Sequence, residues 1–472
     1  MPGPLTRRIL LKSLSAAGVM FAGPKLVLAA GAKSEDGFTV LRAEPGTAPI
    51  MGDGKPQTAV WAYDGAVPGP VLRVSQGEEV RIRFENRLPQ PSTVHWHGIR
   101  NINAMDGVAY LTQDPVLQGA SFDYVFTPPD AGTFWYHPHA RTWEQLARGL
   151  YGVLIVEEKS PPAFDLDIPL VLDDWRVDDE GVLDEASFGH MMDWSHAGRL
   201  GNWLTVNGTS RPNFTLPAGG RVRLRLINTS NARTLRVSLN GLVGKIIAFD
   251  GQPISPEDLS AQPLVIAPAQ RVDVAVEVSE KLDQKSVLIA HAGEQQLEIA
   301  NFLTTAPSSP IKTGSIDLPK NPIPTDVDLK NPLKVELLME GGAMGGMREA
   351  TYNGLKMNAR ELMNAKKFWA FNGIVGRAEA PLFTSKRGQT AVVNMINKTA
   401  WPHAMHFHGM HFQVVEKNGK PVKDAPWRDT ELMDPEDITK IALIADNPGK
   451  WMIHCHMLEH QAAGMAAWFE VA

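Results

Sequence analysis

A repeated segment limits the possible folds of this chain more than any other feature. Gly132-Thr133-Phe134-Trp135-Tyr136-His137-Pro138-His139 is matched near the C-terminus by Gly449-Lys450-Trp451-Met452-Ile453-His454-Cys455-His456. Each copy runs on to a glycine, Gly149 or Gly464, and a closing strand. A second element precedes each copy. Pro68-Gly69-Pro70 through Asn86 leads to His95, and Pro381-Leu382-Phe383 through Asn397 leads to His403 and His406. Between them, Arg211-Pro212-Asn213 through Asn228 leads to Leu239-Asn240-Gly241 with no histidine. Internal self-similarity of this kind means repeated structural units. The chain reads as three related units, with functional residues in the first and third and a spacer between them.

The units are all-β. Val71-Leu72-Arg73-Val74 and Val80-Arg81-Ile82-Arg83-Phe84 alternate apolar and polar residues around a Gln76-Gly77 turn, the pattern of half-buried strands. The 41 glycines and 35 prolines fall mostly between such runs, which favours sandwiches or barrels. Composition sets the boundaries at residues 37–158, 163–306 and 333–472, with the Pro-, Ser-, Lys- and Asp-rich stretch 307–332 as an exposed linker. The clearest helical spacing is Thr142 to Leu150, carrying Trp143, Leu146 and Leu150.

The net charge of −6 comes from interspersed acids and bases and gives no reason to expect nucleic-acid binding. Residues 1–32 read as a targeting segment. Arg7-Arg8 precedes a weak apolar run, which resembles a twin-arginine export signal and implies a periplasmic protein. A disordered basic leader is the alternative. No segment approaches the ~20 uninterrupted apolar residues of a membrane span, so no transmembrane anchor is expected.

Ten of the fourteen histidines and the only cysteine are pooled in four clusters. A single cysteine forms no internal disulfide, so Cys455 is a buried hydrophobe, a nucleophile or a metal ligand. His460 follows it by five residues, Met465 lies beyond, and His403 is upstream. One thiolate, two imidazoles and a weak axial thioether make a blue-copper electron-transfer site. Four His-x-His pairs remain: His95/His97, His137/His139, His406/His408 and His454/His456. Residues i and i+2 on a strand share a face. Eight imidazoles converging from two units are too many for one ion and suit three. Cys455 sits between His454 and His456, so an electron entering at the cysteine has a covalent route to both flanking imidazoles. Dioxygen needs four electrons to become water, and one plus three coppers can store them.

On these motifs the sequence resembles the three-domain bacterial multicopper oxidases, a family of laccases and cuprous oxidases. All four copper motifs are present. The stretch Ala445-Asp446-Asn447-Pro448-Gly449-Lys450-Trp451 also resembles the family. The resemblance implies three cupredoxin-like Greek-key β-barrel domains and four coppers. It implies a type 1 ion at His403, Cys455, His460 and Met465, and a type 2 ion at His95 and His406. It implies a type 3 pair at His97, His137, His139, His408, His454 and His456. The third motif departs from the family at Ala404 and Met410, neither of them a ligand position.

Other residues carry competing readings. Asp106 stands where related enzymes place an acid near the type 2 copper, and would orient water and relay protons; Asp106-Gly107 is otherwise a tight turn. The position of a second relay acid holds Gln461, and the adjacent Glu459 would face another side. Met339, Met344 and Met347, with Met357 and Met363, suggest a site for a substrate Cu(I) ion, since thioethers favour Cu(I). Alternatively they are packing residues or part of a helix over 358–366. His190, His196, His291 and His411 have no partners at ligand spacing. The implied reaction passes electrons from a small reductant (Cu(I), a phenol, an aromatic amine or Mn(II)) to O2. A non-catalytic exported protein for copper storage or envelope assembly is the alternative.

Overall fold

The computed structural model of the chain describes residues 34–260 and 262–472; the export signal expected over 1–32 lies outside them. The alternating runs are strands. Val80–Asn86 buries Val80, Ile82, Phe84 and Asn86 and exposes Arg81. Its neighbour Gly69–Ser75 does not form a hairpin with it, because the two strands enter different sheets.

Each unit has two sheets, of four and four strands in the first, six and five in the second, and nine and five in the third. The repeat seen in the sequence is a repeat of topology. Thr39–Ala48 pairs parallel with Val80–Asn86, as Leu166–Trp175 does with Arg221–Asn228 and Leu333–Gly341 with Gln389–Asn397. In the other sheets, Gly69–Ser75 pairs parallel with Gly152–Glu157, Asn213–Pro217 with Gln295–Thr305, and Thr384–Ser385 with Ala466–Val471. Each unit has its own apolar core.

A further core joins the units. It combines Ile50, Trp135 and Tyr151 with Val171, Trp175 and Ile227 of the middle unit and Leu458 of the third. A polar junction lies beside it. Arg223 bonds Glu158 and Asp273 at 2.7 Å each, and Thr133 donates to Asp273 at 2.7 Å. Arg225 bonds Asp167 at 2.6 Å and Thr133 at 2.7 Å. Arg223 and Arg225 alternate with apolar residues on their strand, a pattern that reads as solvent-facing, yet both are buried. Buried charges persist only when paired; here Asp167 and Asp273 of the same unit are joined by Glu158 and the Thr133 hydroxyl of the first unit.

Stability is expected to be acid-sensitive at this junction. Burial pushes the Asp167 carboxyl up, but Arg225 beside it, then Arg223 and Arg73, bring it down to about 2. An unfolded aspartate titrates near ~3.9, so the folded form is favoured above that pH and the gain is lost as pH falls through the lower value. Urea midpoints should therefore drop between roughly pH 4 and 2. Asp167→Asn should flatten that segment of the profile. An unchanged slope would show that the pair contributes nothing.

The linker has neither helix nor strand between residues 307 and 332 and is tied down at several points, Lys312 and Asn321 among them. Lys312 N–H donates to Asp165 at 2.9 Å. The Asn321 side chain accepts from Ala131 N–H at 2.8 Å and donates to Gln252 at 2.9 Å. The expected helix at 142–150 is shorter, Thr142–Gln145, followed by turns; Leu150 N–H already reaches Gln145 O, and Gly149 has φ +113°. The second expected helix is Ala359–Asn364, opened by a capping box between Asn358 and Glu361. Among the described residues no helix is long and apolar enough to cross a membrane.

Candidate metal centre

The strand His95–His97 pairs with Gly132–His137, setting His95 opposite His137. His403–Phe407 pairs with Gly449–Cys455, setting His406 opposite His454. Only His95/His97 lies wholly on a strand. His139, His408 and His456 fall just past strand ends, so three of the four pairs depart from the simple two-residue face rule. The chain bends there and brings both members inward.

All eight of these imidazoles are buried and meet at the junction of the first and third units. His95 stacks on His408 with ring centres 4.0 Å apart, and His97 on His406 at 3.8 Å. Ligand atoms converge in overlapping groups, His139/His408/His454, His95/His406/His408 and His95/His97/His137. Burial, then the neighbouring imidazoles, push His137, His139, His408, His454 and His456 well below the usual histidine range. They are neutral, the form that binds metal.

Hydrogen bonds fix which nitrogen is free. His95 Nδ1–H donates to Asp106 O at 2.7 Å and His406 Nδ1–H to Asp429 O at 2.9 Å, and each Nε2 is left buried without a partner. His97 is turned the other way: Nε2 faces Asp429 Oδ1 at 3.3 Å and Nδ1 is the orphan. His408 Nδ1–H donates to Asp106 Oδ2 at 3.0 Å and His454 Nδ1–H to Cys455 O at 3.0 Å. Their Nε2 atoms then face one another at 3.1 Å, lone pair to lone pair. His137 Nδ1–H donates to Pro138 O, and its Nε2 meets His456 Nε2 at 3.4 Å. At the His408/His454 contact two buried acceptors are directed at each other with no proton between them, which calls for a cation. The donor set therefore fits metal ions.

Asp106 combines both readings of its segment. Gly107 (φ +79°) is required by the turn, since a Cβ would lie 1.9 Å from Val94 O. The buried Asp106 carboxylate contacts His408 and lies 3.3 Å from His95 Nδ1, so it orients two imidazoles at once.

A second convergent group lies inside the third unit. His403 Nδ1 and His460 Nδ1 are 3.1 Å apart and sit 3.5 and 3.7 Å from Cys455 Sγ. Their outer nitrogens are engaged: His403 Nε2 with Thr399 Oγ1 at 2.8 Å, and His460 Nε2–H with His196 O at 2.6 Å. Trp369 packs on both rings, and Met465 is buried in the same core. Burial pushes the Cys455 thiol up to about 12, so thiolate forms there only with a cation to stabilise it.

Several supporting residues carry no sequence signal. Asp429 accepts from His97 and His406 and is itself gripped by Arg271 at 2.9 and 2.6 Å. Arg271 belongs to the middle unit, which is therefore more than a spacer. Gly98 makes room for this pair, since a Cβ there would lie 2.3 Å from Arg271 Nη2. His411, without a partner at ligand spacing, lies beside this pair in the core. It is buried 3.8 Å from Asp429 and faces Gln252 Nε2 at 3.2 Å. Glu459 faces the middle unit, accepting from Arg199 N–H at 3.1 Å and Asn231 at 2.8 Å. The methionine segment divides. Met339 is fully buried in the third core and cannot meet a substrate ion. Met347 and Met357 pack on a small apolar cluster, while Met344 is 80% exposed.

Multicopper oxidase domain families match the chain over residues 46–161, 167–308 and 351–472. The chain belongs to the multicopper oxidase family. Its fold is accordingly three cupredoxin-like Greek-key β-barrel domains. A multicopper oxidase structure from Pseudomonas thermotolerans is 34% identical, covers 92% of this chain and 98% of its own, and superposes with a TM-score of 0.80. A structure from the lignin-degrading bacterium Ochrobactrum sp. is 27% identical, covers 93% of this chain and 98% of its own, and superposes with a TM-score of 0.78. That protein is described as a laccase-like multicopper oxidase with oxidase activity towards lignin model compounds and lignosulfonate. The multicopper oxidase MmcO of Mycobacterium tuberculosis is 29% identical over 88% of this chain and 83% of its own. This multicopper oxidase is thus an oxygen-dependent, copper-binding enzyme that oxidises a reducing substrate.

Proposed function

We propose that this multicopper oxidase couples one-electron oxidation of small aromatic donors to the four-electron reduction of O2 to water. His403, Cys455, His460 and Met465 would hold a type 1 copper. His95 and His406 would hold a type 2 copper, and His97, His137, His139, His408, His454 and His456 a type 3 pair. The bound coppers would take up electrons singly at the thiolate site and deliver four to dioxygen at the three-ion site. The observation that carries this reading is Cys455 itself, whose flanking residues His454 and His456 both belong to the other ligand group. His454 Nδ1–H also donates to Cys455 O at 3.0 Å, closing a hydrogen-bonded path beside the covalent one. Asp106 Oδ2 holds the Nδ1 proton of His408 and keeps its Nε2 free.

Electrons enter at the His460 edge. His460 Nε2–H is bonded to the His196 carbonyl, and the half-buried rings of His196 and Trp401 lie 5.2 Å apart there. These faces suit a phenol or an aromatic amine. Cu(I) is the second reading, supported by the exposed thioethers of Met191, Met192 and Met344. Ala343 N–H donates to Ser195 O at 2.6 Å and brings the two methionine segments together. The Arg7-Arg8 leader supports periplasmic delivery by the twin-arginine route.

Oxygen uptake by the copper-loaded protein with a phenol, Cu(I) and Mn(II) tests this. Fastest turnover is expected with the phenol, and Met344→Leu/Met347→Leu should leave it unchanged. Saturation by Cu(I) that is lost in that double variant would move the assignment to a cuprous oxidase. No uptake with any donor would leave storage or assembly as the function.

A further inference from the structure

A cavity of about 350 Å³ opens beside the histidine cluster. One wall is His139, at 6% the most exposed of the eight clustered imidazoles. Among the described residues, three cations line the cavity, Arg141, Lys367 and Arg377, and no carboxylate does. Arg141 has a counter-ion, bonding Glu144 at 2.6 Å. The other two do not. Lys367 Nζ donates to Ala462 O at 2.7 Å, and Arg377 Nη2 donates to Ala109 O at 2.9 Å. Arg377 Nη1 is buried with no acceptor. Burial alone pulls both groups down from their usual values, with no nearby acid to raise them.

Two cations that lose hydration in one cavity carry an uncompensated desolvation cost, which a bound anion would offset. The remaining polar wall is neutral: the Thr142 hydroxyl and the Gln461 amide. A planar guanidinium and a mobile ammonium together suit an oxyanion. We propose that Lys367 and Arg377 form a binding site for a small inorganic oxyanion of the phosphate or sulfate class. An occupant would lie across the approach to His139 and slow the entry of O2. That second consequence rests on the oxidase reading; the binding site does not.

The test is calorimetric titration of the copper-loaded protein with inorganic phosphate at fixed ionic strength, because exposed charges are screened by salt. One phosphate per chain is expected. Lys367→Gln and Arg377→Gln should each weaken it about tenfold, the loss of one charge-assisted hydrogen bond. Arg377→Lys should recover part of the affinity. Lys420→Gln, an exposed lysine outside the cavity, should have no effect. Absence of binding at millimolar phosphate, or equal weakening by Lys420→Gln, would overturn the site. Oxygen uptake with saturating donor then tests the gate: phosphate should raise the KM for O2 and leave kcat unchanged. Binding without that rise would overturn the gating role alone, and an inactive enzyme would still report phosphate in the calorimeter.

Discussion

Replacing Cys455 by serine is expected to abolish oxygen uptake with every one-electron donor and to bleach the copper-loaded protein, while the chain stays folded. Cys455 is the only thiol and is fully buried between two imidazoles. Its proton leaves only in exchange for a metal ion, because burial pushes the thiol up to about 12. A serine hydroxyl holds its proton more tightly and is a harder ligand, poorly matched to a blue-copper site. The cost to folding is small. Met457 N–H, now bonded to Sγ at 3.4 Å, still finds an acceptor, so the change should stay within about 1–3 kcal/mol. Visible absorption, copper content and oxygen uptake report the outcome together. Retained uptake would mean that electrons reach the histidine cluster by another route.

The second large effect is expected at Arg271, far from any ligand in sequence. Arg271→Met leaves Asp429 charged, buried and unpaired, which costs about 3–5 kcal/mol. Asp429 would then protonate or turn, releasing His97 and His406 from their orientation. Lost support of this kind typically weakens metal binding about 10–100-fold. Urea unfolding of the metal-free protein and competitive copper titration measure the two effects separately. The double variant Arg271→Met/Asp429→Asn should be milder than the sum of the single changes, because it removes the stranded charge. Strict additivity would show that the two residues do not act as a pair.

These two residues mark the limit of what sequence reading could reach. Cys455 and the clustered histidines were legible because a metal demands particular residue types, and strand ends and short loops supply them at fixed spacing. The three-fold topology was legible for a similar reason, since repeated turn and strand signals need no tertiary information. Asp429 and Arg271 were not. Arg271 opens an ordinary-looking alternating strand, and only the packing of the middle domain against the other two turns it inward. The same packing hid Arg223 and Arg225, which alternation alone would have placed in water. Met339 misled in the opposite direction. Its neighbours in sequence suggested a soft-metal site, but strand register drives it into the third core.

If a single-ion site and a three-ion site act as one four-electron unit, the stoichiometry of a closed reaction reports it: the one-electron equivalents of donor oxidised per O2 consumed by copper-loaded protein, with hydrogen peroxide assayed in the same vessel. Four equivalents per O2 and no accumulating peroxide are expected. Two equivalents per O2, with peroxide as the product, would contradict a four-electron unit.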